Sequence, residues 1–236
     1  MAIFALGDDL RFPDPERAHH SGVVAVGGDL RPDRLLVAYS LGIFPWPAEG
    51  YPLLWHCPAQ RFIVDPGQVR VNRTLGKVLR QHPYTVALDD DFAEVIAACA
   101  TTARPGQDGT WITNEVTAGY TALHAMGFAH CVAARQNGQL VGGLYGVAIG
   151  KAFFGESMFA WAPNASKVAF VTLCRQLQRA GYHFIDAQVH TELLESLGCH
   201  HVPRKTFLQL VQEAVRQPTP PGRWRIAEDL ANGAAS

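Results

Sequence analysis

What this 236-residue sequence lacks closes many ordinary routes to function. Its five cysteines, Cys57, Cys99, Cys131, Cys174 and Cys199, are an odd number and include no CxxC pair. That argues against a disulfide scaffold and against a structural zinc module. No apolar run approaches the ~20 residues needed to span a bilayer, so no membrane partner is expected. The opening residues, MAIFALGDDL, carry no basic leader, and their apolar stretch is short for a signal peptide. A soluble, cytoplasmic protein is the expectation. No G-x-S-x-G, Walker A or G-x-G-x-x-G fingerprint is present, and there are no internal repeats or low-complexity tracts. Charge is scarce too. Only 17% of residues are charged, and 20 Lys and Arg against 21 Asp and Glu leave a formal net charge of -1. Taken as a total, that is a poor balance for a nucleic-acid partner.

Apolar residues, by contrast, make up 48%, which excludes wholesale disorder and supplies a packed core. The texture changes near residue 65. Residues 1–65 are rich in Gly, Pro and Trp and read as a small, loop-rich α+β domain. A short helix is expected from Pro32 to about Gly42, since proline suits a first helical turn and glycine a stop. Residues 66–236 carry longer, regular elements. Helices are expected at 72–81, 91–100, 114–126, from Asn164 to Gly181, and at about 191–197 and 205–216. Strands are expected at 84–88, 130–135, 140–149, 151–159 and 184–189. Asn137-Gly138 is a hairpin signal, and Asn164 is a candidate cap. The loop 102–109 leads to Trp111, and the proline-rich tail after Pro218 is expected to fray. Antiparallel strands followed by a helix and a returning strand give an α+β class with helices on the sheet faces.

Chemistry concentrates in a few places. In FIDAQV (184–189), strict alternation points Asp186 and Gln188 one way, with Ile185 and Val189 pointing the other. Two polar groups on a buried strand need partners, so a hydrogen-bonded structural pair and a reactive pair stand as equal readings. Glu156 sits in a phenylalanine-crowded strand. A turn at Ile149-Gly150 puts Leu144 and Phe153 on one face and Glu156 on the other, unless a bulge at Gly155 brings it round. Such a carboxylate either pairs with a cation, Lys167 for example, or takes part in function. Trp46 and Trp111, each in a loop, are core residues or flat surfaces for a base. Arg73, Lys77 and Arg80 line one face of the 72–81 helix within a stretch, 66–88, that holds no acid. That stripe is either a solvated surface or a seat for phosphates. Cys199, His200, His201 and His190 fit no ordinary metal-ligand spacing. Gly142, Gly143 and Gly146 match no dinucleotide loop and are expected to leave room for something approaching the strand.

The combination is more specific than its parts. VGGDL (26–30), GIFPWP (42–47), GTWIT (109–113), LVGGLYGVAIG (140–150), FFGESMF (153–159), NASK (164–167) and IDAQV (185–189) occur in series. From about Phe12 to about Phe207 the chain closely resembles the leucyl/phenylalanyl-tRNA–protein transferase family. The resemblance implies a small N-terminal domain, 1–65, packed on a GNAT-like catalytic domain, 66–236, with a mixed, mostly antiparallel sheet. It implies a monomeric cytoplasmic enzyme without metal or organic cofactor. Such an enzyme moves Leu or Phe, and Met less well, from aminoacyl-tRNA to proteins beginning with Arg or Lys, which are then degraded.

By the same resemblance, Trp46 and Trp111 hold the terminal adenosine. Leu144, Phe153, Leu173 and Ile185 wall the side-chain pocket, and Glu156, Asp186 and Gln188 form the catalytic centre. Ester aminolysis needs an amine held beside the ester carbonyl and relieved of a proton. Gln188 is expected to align that amine, Asp186 to orient Gln188 or bind the ammonium, and Glu156 to sense the acceptor's cation or, equally, to orient the donor. Either the Asp186–Gln188 pair or the adenosine 2′-hydroxyl moves the proton. Arg73, Lys77 and Arg80 are expected to meet tRNA phosphates. Two other readings are a coenzyme A-dependent acetyltransferase, for which a Gly-rich loop before Asn164 is missing, and a non-catalytic tRNA-binding module.

Overall fold

The computed structural model describes residues 3–47, 50–103, 110–220, 222–227 and 230. Most of the loop expected at 102–109, Gly109 of GTWIT and the last six residues lie outside these. The α+β class holds: the described residues form two sheets and seven α-helices.

The smaller sheet contains β1 (Phe4–Leu6), β2 (Val23–Gly27), β3 (Phe44–Trp46) and β4 (Leu54–His56), in the order β1-β2-β4-β3. Helix α1 (Pro32–Ser40) starts on its proline as expected and ends just before Gly42, whose φ is +73°. Trp55 is fully buried and its indole donates to the Gly27 carbonyl at 2.9 Å.

The larger sheet begins at β5 (Gln60–Val64), so the chain passes between sheets a few residues before the expected change at 65. There follow α2 (Arg73–Gln81), β6 (Thr85–Leu88), α3 (Phe92–Thr101) and α4 (Asn114–Ala125). Next come β7 (Ala129–Gln136), β8 (Gln139–Ile149), β9 (Ala152–Ala160), α5 (Ala165–Arg179) and β10 (Phe184–Gln188). The last elements are α6 (Glu192–Ser196), β11 (His200–Pro203) and α7 (Arg204–Val215). The strand order is β11-β5-β10-β9-β8-β7-β6, with β9 and β10 parallel and the other pairs antiparallel. Strand β11, a four-residue edge, was not expected.

Alternation assigns the two faces of this sheet. Tyr145, Phe154 and Phe184 join the core shared with α1, α3, α4, α7 and the smaller sheet. Leu144, Phe153 and Ile185 join the core under α2 and α5. Leu144 and Phe153 thus share a face as expected. The glycines of β8 make room for the protein itself: a Cβ on Gly142 would stand 2.5 Å from the Ala165 Cβ at the start of α5. Asn164 occupies the N-cap position of α5, but in the left-handed region (φ +65°) and with no side-chain cap bond.

The tail is not frayed at its start. The Thr219 hydroxyl accepts from the Gly150 amide at 2.7 Å. The Trp224 amide donates to Asp89 at 2.6 Å, and the Trp224 ring stacks on His130 with centroids 3.7 Å apart. A tryptophan landing on a buried Asp89–His130 pair outweighs the proline content. Of the three consecutive acids only Asp89 is buried, on His130; Asp90 and Asp91 are exposed, Asp90 pairing with Arg135 and Asp91 capping α3. Among the described residues no helix is long and apolar enough to cross a membrane.

Candidate active site

The α5 face of the larger sheet is not filled everywhere. A cavity of about 430 Å³ opens between β9, β10 and α5, within the range that binds small ligands. Its walls include Leu144, Phe153, Met158, Phe170, Leu173 and Ile185. Trp46 and Trp111 also line it, and Trp46 remains 37% exposed, so a flat ring faces solvent at the opening. All four side chains expected to wall a pocket, and both tryptophans, therefore meet at one cavity.

Two bulges deliver its polar residues. Between β8 and β9, Tyr145 pairs with Ser157 and Gly146 pairs with Gly155, leaving Glu156 as the extra residue. This is the bulge that Gly155 suggested, but Glu156 is not brought round by it: its carboxyl turns to Tyr39 and Tyr120, in the core opposite Leu144 and Phe153. Between β5 and β10, Ile63 pairs with Asp186 and Phe62 with Gln188, leaving Ala187 extra. Gln188 takes φ +63°, an unusual left-handed conformation for a residue other than glycine. Strict alternation is broken there, which corrects the expectation that Asp186 and Gln188 share a face. Gln188 lines the cavity beside Ile185, while Asp186 turns into the opposite core.

Glu156 is half-buried among hydrogen-bond donors rather than beside Lys167. Tyr39 of α1 donates to Oε1 at 2.6 Å, Tyr120 of α4 donates to Oε2 at 2.9 Å, and Gln188 Nε2 donates to Oε1 at 2.6 Å. The two tyrosine hydroxyls also touch each other. Burial pushes the Glu156 carboxyl up to about 7, against the lowering pull of its three donors. Both carboxyl oxygens of Glu156 therefore already have partners within the protein.

Asp186 has a partner that sequence reading missed. Arg61 of β5 reaches it with Nε at 2.8 Å from Oδ1 and Nη2 at 2.6 Å from Oδ2. Its Nη1 donates to the Gly42 carbonyl at 3.0 Å. The guanidinium lies between the rings of Phe44 and Phe207, 4.5 and 4.3 Å from their centroids. Burial alone would draw the Arg61 pKa down, but Asp186 holds it above the usual value. Asp186 also accepts from the backbone amide of Gln188 at 2.8 Å. Its hold on Gln188 is thus through the main chain, not the side-chain amide. The one available signal was an arginine in the apolar stretch RFIV (61–64).

Arg73, Lys77 and Arg80 are exposed on α2, opposite the buried Leu75 and Leu79, and do not line the cavity. His190 is at the cavity edge, where its ring packs against Phe62 and its Nε2 meets Glu195 at 2.9 Å.

An apolar chamber with an aromatic mouth and a held carboxyl–amide pair beside it has the features of an enzyme's ligand site. Comparison with known proteins says which one. The family model described as "Leucyl/phenylalanyl-tRNA protein transferase" matches residues 63–212, and that of its N-terminal domain matches 28–59. The chain belongs to this family and is an aminoacyl-tRNA-dependent aminoacyltransferase. A leucyl/phenylalanyl-tRNA–protein transferase of Myxococcus xanthus (strain DK1622) is 53% identical over 95% of this chain and 97% of that one. One of Solidesulfovibrio magneticus is 51% identical over 95% of this chain and 91% of that one. A solved structure, a functionally unknown conserved protein from Staphylococcus epidermidis ATCC 12228, overlaps with TM-score 0.39 and 12% identity over 77% of this chain and 68% of that one. That likeness carries no argument.

Proposed function

We propose that this enzyme transfers Leu or Phe, and Met less well, from aminoacyl-tRNA to the α-amino group of proteins beginning with Arg or Lys, and that the product is marked for degradation. The observation that carries the reading is the apolar cavity ending at Glu156 and Gln188. Leu144, Phe153, Leu173 and Ile185 hold the transferred side chain, and Trp46 and Trp111 hold the terminal adenosine by stacking. An apolar pocket separates side chains differing by one methylene by only about 1–3 kcal/mol, so overlap among Leu, Phe and Met is expected.

In the transfer, the neutral acceptor amine attacks the ester carbonyl carbon. The new C–N bond forms, the bond to the ribose oxygen breaks, and the amine's proton ends on that oxygen. Gln188 is neutral and holds the amine rather than taking its proton outright. Its amide nitrogen is spent on Glu156, which leaves its carbonyl oxygen to accept from the amine. Asp186 serves by fixing the Gln188 backbone. The adenosine 2′-hydroxyl is the candidate carrier of the proton. Arg73, Lys77 and Arg80 meet tRNA phosphates. The GNAT-like reading of the larger unit belongs to the same proposal and is supported by its parallel β9–α5–β10 crossover. So do the monomeric state and the cytoplasmic location.

The test mixes labelled Phe-tRNA with a peptide starting in Arg and with the same peptide starting in Ala. Label moving to the first alone supports the reading. Label moving to neither, with tRNA still bound, supports a binding module instead.

A further inference from the structure

Three side chains meet through four oxygens behind the cavity in a closed circuit. Tyr39 touches Glu156 Oε1, Tyr120 touches Glu156 Oε2, and the two hydroxyls touch each other. Each of the three contacts needs one proton between its oxygens, and each tyrosine supplies only one. If both hydroxyl protons point at an ionised Glu156, two bare phenolic oxygens are pressed together in a buried site. If one proton turns to the neighbouring tyrosine, a carboxylate oxygen faces a bare phenol oxygen instead. A third proton completes the circuit, and Glu156 is the group that can bring it. We propose that Tyr39, Tyr120 and Glu156 form a ring that keeps Glu156 an uncharged carboxylic acid, so that Glu156 positions Gln188 instead of binding the acceptor's cation.

The surroundings agree. Facing Glu156 are Tyr39 from α1, Tyr120 from α4, Asp186 and Gln188 from β10, and Arg61 from β5, while Tyr145 of β8 packs edge-on to Tyr120. Arg61, whose charge interacts with Glu156, is already gripping Asp186. Asp186 adds a like charge that disfavours ionising Glu156. An uncharged Glu156 still accepts the Gln188 amide nitrogen on Oε1. Gln188 is then held with its carbonyl oxygen free for the attacking amine. The positioning role rests on the proposed transfer, whereas the ring itself does not.

The carboxyl is raised from 4.5 to about 7 in the fold. The folded protein therefore holds a proton that the unfolded chain releases between these values. Stability contributed by that proton is present below about pH 4.5 and falls as pH rises through about 7. A Glu156→Gln protein carries no such charge. The thermal midpoint of the wild-type protein minus that of E156Q should therefore fall across this window and level off above it. A difference that is flat, or that rises with pH, overturns the ring. Tyr39→Phe opens the ring and removes the need for a third proton, so the inflection should move to lower pH, and an inflection that moves up overturns the ring. Should E156Q fail to fold, difference infrared spectra of wild-type protein carrying ¹³C-glutamate answer the same question. A protonated carboxyl band at pH 6 that disappears by pH 8 supports the proposal, and its absence overturns it. In the folded E156Q protein, whatever its rate, preference for Arg-starting over Ala-starting peptides should persist. Loss of that preference would return the cation to Glu156. A ring proton without label transfer sinks the functional reading alone, and transfer without a ring proton sinks the ring alone.

Discussion

Arg61 and Asp186, 125 positions apart, meet through two guanidinium nitrogens with neither side chain reaching solvent. A buried ion pair is weak evidence for stability, because desolvation offsets much of its attraction. Its value lies in what it holds. Through Gly42, Phe44 and Phe207 the pair ties the smaller sheet and α7 to β10. Through the Gln188 amide it steadies the bulge that aims Gln188. Removing Arg61 leaves an uncompensated charge, so Arg61→Ala should lose about 3–5 kcal/mol of stability. Urea titration checks this. Arg61→Lys keeps the charge but not the fork, and should lower kcat at saturating substrates more than it raises KM. A lysine variant with unchanged kcat would deny the pair its positioning role.

The cavity walls should set donor preference. Leu144→Phe adds bulk beside Phe153 and Ile185 on the same sheet face. It should disfavour Phe relative to Leu by about 1–3 kcal/mol, roughly 5- to 150-fold in the ratio of kcat/KM. Competition between Leu-tRNA and Phe-tRNA reads the ratio directly. An unchanged ratio would move the side-chain pocket elsewhere.

At the mouth, Trp46→Ala and Trp111→Ala should each cost about 1–3 kcal/mol of binding to a terminal aminoacyl-adenosine. Phenylalanine at either place should recover part of it. A titration with that short donor isolates the effect from the rest of the tRNA. Equal affinity in all four variants would leave the tryptophans as packing only.

The stripe on α2 should appear as salt dependence. With three phosphate contacts, the slope of log affinity against log salt for tRNA should be near -2 to -3. Reversing Arg73, Lys77 and Arg80 to glutamate should flatten it, because all three are exposed and unengaged in the cavity. A slope that survives triple reversal places the phosphates on another surface.

Much of this architecture was legible from local pattern. The order of β7, β8 and β9, the helix starting at Pro32 and the shared face of Leu144 and Phe153 all follow from short-range periodicity. The Glu156 bulge was legible because a strand glycine stood beside a misplaced acid. The β10 bulge was not, since Ala187 carries no such mark. Nor was the docking of Trp224, whose neighbours in the chain read as tail.

What the sequence by itself determined is which side chains can be inside and, away from the two bulges, which face each takes, because one rotation per residue along a regular strand or helix is a local property. It also determined family membership, through motifs kept in order. Tertiary structure alone decided the partners of the charges. Tyr39 reaches Glu156 across 117 positions, Tyr120 across 36, and Arg61 reaches Asp186 across 125. No local rule links residues so far apart. They are brought together by the packing of α1, α4 and β5 around one pair of bulged strands. The low dielectric of that core then sets their charge states, because an ion taken out of water is tolerated only with partners in reach.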